Sequence, residues 1–173
     1  EDTQGNYLST VYVTHKIATQ SWQASGGNRR KEALPHWCYS RGVKYDDGLY
    51  LPTKKEPLID GISGATPHES FNIKLNPATA LKKFVVKIEI NHSTDFNEAF
   101  PKSAKDGEAN YSGGKEGSRQ PAIVYAANVD LSSGEKSFEA NLMGHSSPDG
   151  SSGEVNKDTS GLTTALHIVK RIT

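Results

Sequence analysis

The strongest constraint on the fold is an alternation of apolar and polar residues that recurs in separate parts of the sequence. A period of two places every second side chain on the same face of a β-strand. Four segments show this period: SFNIKL (70–75), FVVKIEI (84–90), AIVYAANVDL (122–131) and KSFEANLM (136–143). Because the alternate positions are polar, among them Lys87 and Glu89, we expect an antiparallel sheet with one face in water.

The residues between and beyond these segments indicate further elements. SSGE, which contains Gly134, predicts a hairpin between the last two segments. NYLSTVYVT (6–14) is rich in β-branched and aromatic residues and predicts an early strand, and residues 76–83 predict a helical turn. The apolar residues of the C-terminal tail fit a helical face (Leu162, Ala165, Leu166, Val169) or a strand (Leu166, Ile168, Ile172). We expect a short helix that runs into a final strand.

Together these elements predict one all-β domain over residues 1–173. The expected architecture is an immunoglobulin-like antiparallel β-sandwich with long loops and a short C-terminal helix. The 173 residues are of single-domain size. Cys38 is the only cysteine, so no internal disulfide can form.

Charge and hydropathy argue against two classes of partner. Lys plus Arg equals Asp plus Glu at 20 each, whereas a nucleic-acid binder usually has a basic excess. The basic run NRRK (28–31) therefore predicts a solvated loop. No stretch approaches the ~20 apolar residues that span a bilayer. The opening EDTQGNYLSTVYVT resembles the turn and second strand of a hairpin, so we expect an N-terminal strand and a signal peptide to be missing from this chain.

Familiar catalytic motifs are incomplete in this sequence. GISGA (61–65) lacks the last glycine of a serine-hydrolase nucleophile elbow, and Pro67 argues against a following helix. YSGGKEGS (111–118) lacks the spacing of a phosphate-binding loop. We therefore predict no catalytic residues.

Two groups of polar residues have side chains that can ligate zinc or calcium. They are His92, Asp95 and Glu98 in one group, and His145 with Asp149 in the other. Neither group has the spacing of a metal motif. We predict no metal site and interpret both groups as scattered surface residues, with metal binding as the open alternative.

Five aromatic residues precede the glycine-rich stretch: Trp22, Trp37, Tyr39, Tyr45 and Tyr50. They can line a flat pocket that stacks a planar ring or a sugar. They can equally form a hydrophobic cluster beneath long loops. The sequence favours neither alternative.

The densest signal is DGISGATP (60–67), which we call the DGISGATP segment. Its composition is typical of a turn, because Asp and Gly initiate turns and Pro67 rigidifies the exit. It also has a more specific property. Small residues let another macromolecule approach the backbone closely, and Pro67 biases Thr66 towards an extended conformation. A threonine presented in this way is suited to covalent modification.

The same residues resemble the acceptor motif of bacterial flavinyl transferases, which attach FMN by a phosphoester bond to the threonine of S/T-G-A-T. Nearly the whole chain is also similar to the predicted periplasmic proteins called domain of unknown function 2271. The segments that carry this second resemblance are GNYLSTVYVT, EALPHW, DGISGATP, INHSTDFNEAF, QPAIVYAANVDL, LMGH and SGLTTALHIVKRI.

The resemblance implies an extracytoplasmic flavoprotein module that carries FMN covalently on Thr66 for electron transfer. Its implied partners are a flavinyl transferase and membrane or periplasmic redox proteins, and its implied location is the periplasm or the exterior of a bacterial cell. The candidate cofactor-binding residues are Thr66 with Asp60, Gly61, Ser63, Gly64 and Ala65, and the ring-stacking candidates Trp37 and Tyr39. Lys54, Lys55 and His68 are candidates to offset the phosphodiester charge. The alternative is a non-catalytic immunoglobulin-like module that binds a carbohydrate or a protein and carries no cofactor.

Overall fold

The computed structural model describes residues 1–22, 29–58, 61–74 and 81–173. The strands are β1 (Tyr12–Thr14), β2 (Ile62–Gly64), β3 (Lys83–Ile90), β4 (Ile123–Asp130), β5 (Asn141–Ser146) and β6 (Val155–Asn156). The helices are α1 (His15–Thr19) and α2 (Pro35–Ser40), with 3-10 turns at Gly114–Glu116 and Thr164–His167. Strands β3, β4, β5 and β6 form an antiparallel sheet in that order, and β1 and β2 form a separate parallel pair. The fold is β-rich, as the alternation predicted.

The centre of the larger sheet is the pair β3 and β4, which runs in continuous antiparallel register from Lys83 opposite Asp130 to Ile90 opposite Ile123. An ion pair of 2.9 Å between Lys83 and Asp130 joins the two strands at one end. The strand predictions for 84–90 and 122–131 are confirmed.

The predicted hairpin between β4 and β5 is also confirmed, but its second strand starts later than the alternation indicated. β5 begins at Asn141, so residues 136–140 lie in the connection. Val124 is opposite Gly144 and Tyr125 is opposite Leu142, which leaves Met143 as an extra residue in a β-bulge. Because a single extra residue reverses the face of the side chains that follow it, the alternation seen before Met143 does not continue through the rest of β5.

Other local predictions were wrong. Residues 70–74 form no strand, and Leu75 lies outside the described residues, as do residues 76–80 of the predicted helical turn. The predicted strand over 6–14 forms only at Tyr12–Thr14, and α1 follows directly at His15. The tail forms a 3-10 turn at Thr164–His167 and no final strand; a single hydrogen bond from Ala140 N to the carbonyl of Ile172 ties it to the connection before β5.

One face of the larger sheet packs against the segments around residues 100 and 162. Ile123 is 0% exposed and forms a core cluster with Phe100, Leu162 and Ala165. Tyr125, which lies two residues from Ile123 on the same face of β4, is packed at the edge of this cluster. These residues form the apolar core that the alternation predicted.

One end of the opposite face, around Glu89, is covered by α2, whereas Lys83 and Asn128 at the other end of that face are exposed. The expectation of a water-exposed face therefore holds for only part of it. The Glu89 carboxylate accepts hydrogen bonds from the backbone N–H groups of His36 (3.1 Å) and Trp37 (2.7 Å), and a short one from the Ser146 hydroxyl. These N–H groups belong to the first turn of α2, where no intrahelical partner exists. Glu89 therefore caps α2 from the sheet. Burial raises the pKa of Glu89 to about 7, against the opposing effect of these hydrogen bonds.

The basic run at 28–31 does not form a solvated loop where it is described. Arg30 is 5% exposed and pairs with Glu32 at 2.7 Å. Its guanidinium also donates to the hydroxyls of Ser93 (2.8 Å) and Ser118 (3.0 Å). Arg30 thus joins three parts of the chain inside the fold. None of the helices in the described ranges is long and apolar enough to cross a membrane.

Candidate functional site

The DGISGATP segment is held against the domain by strand β1. Ile62, Ser63 and Gly64 pair in parallel with Tyr12, Val13 and Thr14. Val13 is buried in a second core cluster with Ile17, Ala18 and Ala33. The anchoring therefore comes from β1, while β2 forms the outer strand. Asp60, the first residue of the segment, lies outside the described residues.

Both described glycines of this segment sit where a side chain would crowd a neighbour, Thr10 just before β1 in one case and Tyr12 of β1 in the other. A Cβ atom on Gly61 would lie 2.9 Å from Cγ2 of Thr10. A Cβ atom on Gly64 would lie 3.1 Å from the Oη atom and 3.3 Å from Cε2 of Tyr12. Contacts this short force a neighbour to move. Glycine is therefore favoured at both positions by the contacts with Thr10 and Tyr12, whether or not another protein binds the segment.

Thr66 lies just beyond β2 and its side chain is exposed, as are those of Ser63 and Ala65. Within the described ranges the Thr66 hydroxyl has no hydrogen-bond partner. The carbonyl of Ala65, the preceding residue, accepts a short hydrogen bond from the Tyr12 hydroxyl. The backbone next to Thr66 is thus fixed while the hydroxyl itself is open to solvent.

The two predicted stacking residues, Trp37 and Tyr39, point in different directions from α2. Residues two apart on a helix are about 200° apart around its axis. Trp37 donates its indole N–H to the Thr10 hydroxyl at 3.0 Å. Tyr39 donates its hydroxyl to the Ser151 carbonyl at 2.7 Å and stacks on Tyr50 at 4.4 Å between ring centroids. Trp37 therefore lies on the side of the DGISGATP segment, since its partner Thr10 contacts Gly61. Tyr39 instead faces the loop around Ser151.

The remaining aromatic predictions divide between the two alternatives. Trp22 and Trp37 pack against the core cluster of Val13, which fits the hydrophobic-cluster interpretation. Tyr45 lines an open groove of about 400 Å³ together with Tyr7 and Arg41. Lys54, Lys55 and His68 are exposed and make no described contact with Thr66.

Two aromatic residues beside the DGISGATP segment were missing from the sequence prediction. Tyr12 and Phe71 are in ring contact, with centroids 5.5 Å apart and planes inclined at 48°. Phe71 had been assigned to the buried face of a strand, yet it is 54% exposed. The parallel pairing of β1 with β2 places Tyr12 over the segment, and no signal in the sequence indicates that pairing.

The possible metal ligands do not converge. The described residues contain no group of three or more His, Cys, Asp or Glu side chains that could hold a metal ion. Asp95 instead accepts a hydrogen bond from the Thr164 hydroxyl at 2.6 Å, and His145 is buried with its Nδ1 atom 2.8 Å from the Ser146 carbonyl.

A larger groove of about 920 Å³ is lined by the end of β5, by β6 and by the segments around residues 100 and 160. Its polar lining includes His145, Ser152, Glu154, Asn156 and Asp158. Hydroxyl, amide and carboxylate groups of this kind can hydrogen-bond a polyhydroxylated ligand.

Comparisons of this chain with protein-family models, with curated proteins and with solved structures found no match.

Proposed function

We propose that this protein is an extracytoplasmic bacterial flavoprotein module that carries FMN covalently on Thr66 for electron transfer. The observation that supports the proposal is the state of Thr66, whose side chain is exposed and whose hydroxyl has no hydrogen-bond partner among the described residues. It follows Ser63, Gly64 and Ala65 in the S-G-A-T order that resembles a flavinylation motif. Had this hydroxyl been buried, no modifying enzyme could have reached it.

The surrounding residues fit the attachment reaction. The Thr66 oxygen forms a bond to the FMN phosphorus of FAD, the pyrophosphate bond of FAD breaks, AMP leaves with the bridging oxygen, and the hydroxyl proton passes to the transferase or to water. The small side chains at positions 63–65 leave room for the transferase, and Tyr12 holds the Ala65 carbonyl in place. Attached FMN supplies the one- and two-electron chemistry that protein side chains lack.

The proposal includes partners, location and the finer fold. A flavinyl transferase and membrane or periplasmic redox proteins are the proposed partners, in the periplasm or outside the cell. An immunoglobulin-like sandwich is the proposed architecture, with the sheet of β3 to β6 as one layer. The antiparallel pairing of that sheet supports this architecture.

Intact mass tests the attachment directly. The protein is coexpressed with a flavinyl transferase in a compartment that contains FAD, and a known acceptor protein verifies that the transferase is active. We expect a gain of about 440 Da and a yellow colour. Thr66→Ala should abolish the gain, whereas Thr3→Ala, which changes another exposed threonine, should retain it. An unmodified wild-type chain beside a modified control acceptor would refute the proposal.

The groove lined by His145 and Asp158 supports the second candidate function, a carbohydrate-binding module without a cofactor. Its polar lining and its volume of about 920 Å³ suit a short oligosaccharide. Calorimetric titration with an oligosaccharide panel separates the two functions. Binding that is lost in Asp158→Ala and retained in Thr66→Ala would favour the carbohydrate-binding module.

A further inference from the structure

An exposed apolar patch lies beside Thr66. Its members are Tyr12, Ile62 and Phe71, of which Ile62 is 57% and Phe71 is 54% exposed. Tyr12 and Ile62 are directly opposite in the parallel pair, so their side chains lie on the same face of β1 and β2. Phe71 extends this face through its ring contact with Tyr12. Clustered exposure of large apolar side chains usually marks a binding surface.

The Tyr12 ring is held in a defined position within this patch. It lies over Gly64, where a Cβ atom would come within 3.3 Å of Cε2, and its hydroxyl is bonded to the Ala65 carbonyl. Gly64, the residue beneath the ring, lies two positions before Thr66. Because two residues of extended chain span at most about 7 Å, the Cα atoms of Gly64 and Thr66 lie within that distance of each other. A group attached to Thr66 is therefore tethered beside the patch.

We propose that Tyr12, Ile62 and Phe71 form the docking surface for the isoalloxazine ring of FMN attached to Thr66. The inference rests on the proposed function. The ring is planar and aromatic, and aromatic rings pack in offset or inclined arrangements such as that of Tyr12 with Phe71. A short tether keeps the ring at a high local concentration, so even a weak contact is populated.

Tyr12 and Phe71 have different parts in this surface. Phe71 supplies exposed ring area. Tyr12 supplies ring area, and through its hydroxyl it also fixes the backbone from which the tether starts. Tyrosine donates an electron to excited flavin on contact and so quenches its fluorescence, whereas phenylalanine does not. Flavin fluorescence therefore reports whether the ring lies on Tyr12.

The test uses the flavinylated protein, with intact mass checked for every variant. We expect the wild-type protein to be quenched relative to free FMN. Phe71→Ala should increase the undocked fraction of the ring about two- to tenfold, with brighter emission and lower anisotropy. Tyr12→Phe should brighten the emission because the quenching phenol is lost. Leu131→Ala is the matched control, since Leu131 is also 54% exposed but lies after β4.

The outcomes separate the two proposals. Two results would overturn the docking surface and leave the proposed function intact, provided that the protein shows the full mass gain. In the first, the emission and anisotropy of the wild-type protein equal those of free FMN. In the second, the emission and anisotropy of both Phe71→Ala and Tyr12→Phe equal those of the wild-type protein. A chain that gains no mass beside a modified control acceptor would overturn both. Phe71→Leu, which keeps an apolar side chain, replaces Phe71→Ala if circular dichroism shows that the alanine variant is misfolded.

Discussion

The larger sheet and the β1–β2 pair are built on different physical principles. β3 and β4 pair over eight residues, and Ile123 and Val124 at the start of β4 are fully buried on opposite faces of the sheet. β1 and β2 pair over three residues, and the outer strand exposes Ile62. The first region gains its stability from buried apolar area, and the second presents its residues to solvent. The difference indicates that a substitution or modification of an exposed side chain in the DGISGATP segment leaves the buried core intact.

The glycines show how the smaller pair is held. Gly61 and Gly64 fit against Thr10 and Tyr12 because they have no side chain. Their contribution is to let the Thr10 and Tyr12 side chains lie close against the backbone of the DGISGATP segment. We therefore expect substitutions in the two regions to change the free energy of unfolding by different amounts.

The largest difference should appear between two isoleucines. Ile123→Ala removes a fully buried side chain and should lower the free energy of unfolding by about 2–5 kcal/mol. Ile62→Ala removes an exposed side chain and should change it by less than about 0.5 kcal/mol. Urea denaturation measures both. Equal losses would mean that β2 belongs to the core.

The next effect is the pH dependence that Glu89 gives to the larger sheet. Its pKa is about 7 in the folded protein against an ordinary value of 4.5. A raised folded pKa means that the unfolded chain releases the proton more easily, so the stability that Glu89 contributes is fully present below pH 4.5 and is lost as pH rises towards 7. The loss from this group should approach about 3 kcal/mol.

Urea denaturation between pH 4 and 8 checks this dependence. Glu89→Gln removes the ionisation and should flatten the part of the profile that Glu89 causes. Glu139→Gln, at an exposed position in the connection before β5, should leave the profile as in the wild type. A Glu89→Gln profile that still falls like the wild type would assign the pH dependence to other groups.

The smallest effect concerns the fit of β2 against β1. Gly64→Ala places a Cβ atom against the Tyr12 ring and should break the hydrogen bond to Ala65, at a cost of about 1 kcal/mol. Ser63→Ala changes the exposed neighbouring residue and should cost less than about 0.5 kcal/mol. Thermal unfolding and the near-ultraviolet circular dichroism of tyrosine measure the two variants. If both behave alike, the Tyr12 contact does not stabilise the pair.

Sequence analysis succeeded where the pattern of one strand was sufficient. The alternation in 84–90 and 122–131 predicted β3 and β4, because their apolar residues share one face of the sheet, which is half-buried along β3 and fully buried at Ile123 of β4. The same period in 70–75 was misleading, since within the part of the chain that the structure describes Phe71 is in ring contact with Tyr12 at the surface and residues 70–74 join no sheet. The exposure of Thr66 agrees with the prediction from its position before Pro67.

The buried charges could not have been predicted from the sequence. Glu89 accepts from His36, which is 53 residues away, and Arg30 donates to Ser118, which is 88 residues away. Arg119 is 1% exposed and stacks its guanidinium on Phe96, with a centroid distance of 4.0 Å. In each case the charged residue type favours the surface, and tertiary partners distant in sequence decide its burial.

Strand β1 couples the interior of the protein to its proposed docking surface through adjacent residues. Val13 is anchored in the core, and Tyr12, one position earlier, faces outward over Gly64. A slip of one residue would turn the valine towards water and drive the phenol inward, so the apolar anchor also sets the orientation of the ring. Packing at position 13 in the core therefore determines where the ring at position 12 lies, although these two side chains are on opposite faces of the strand pair.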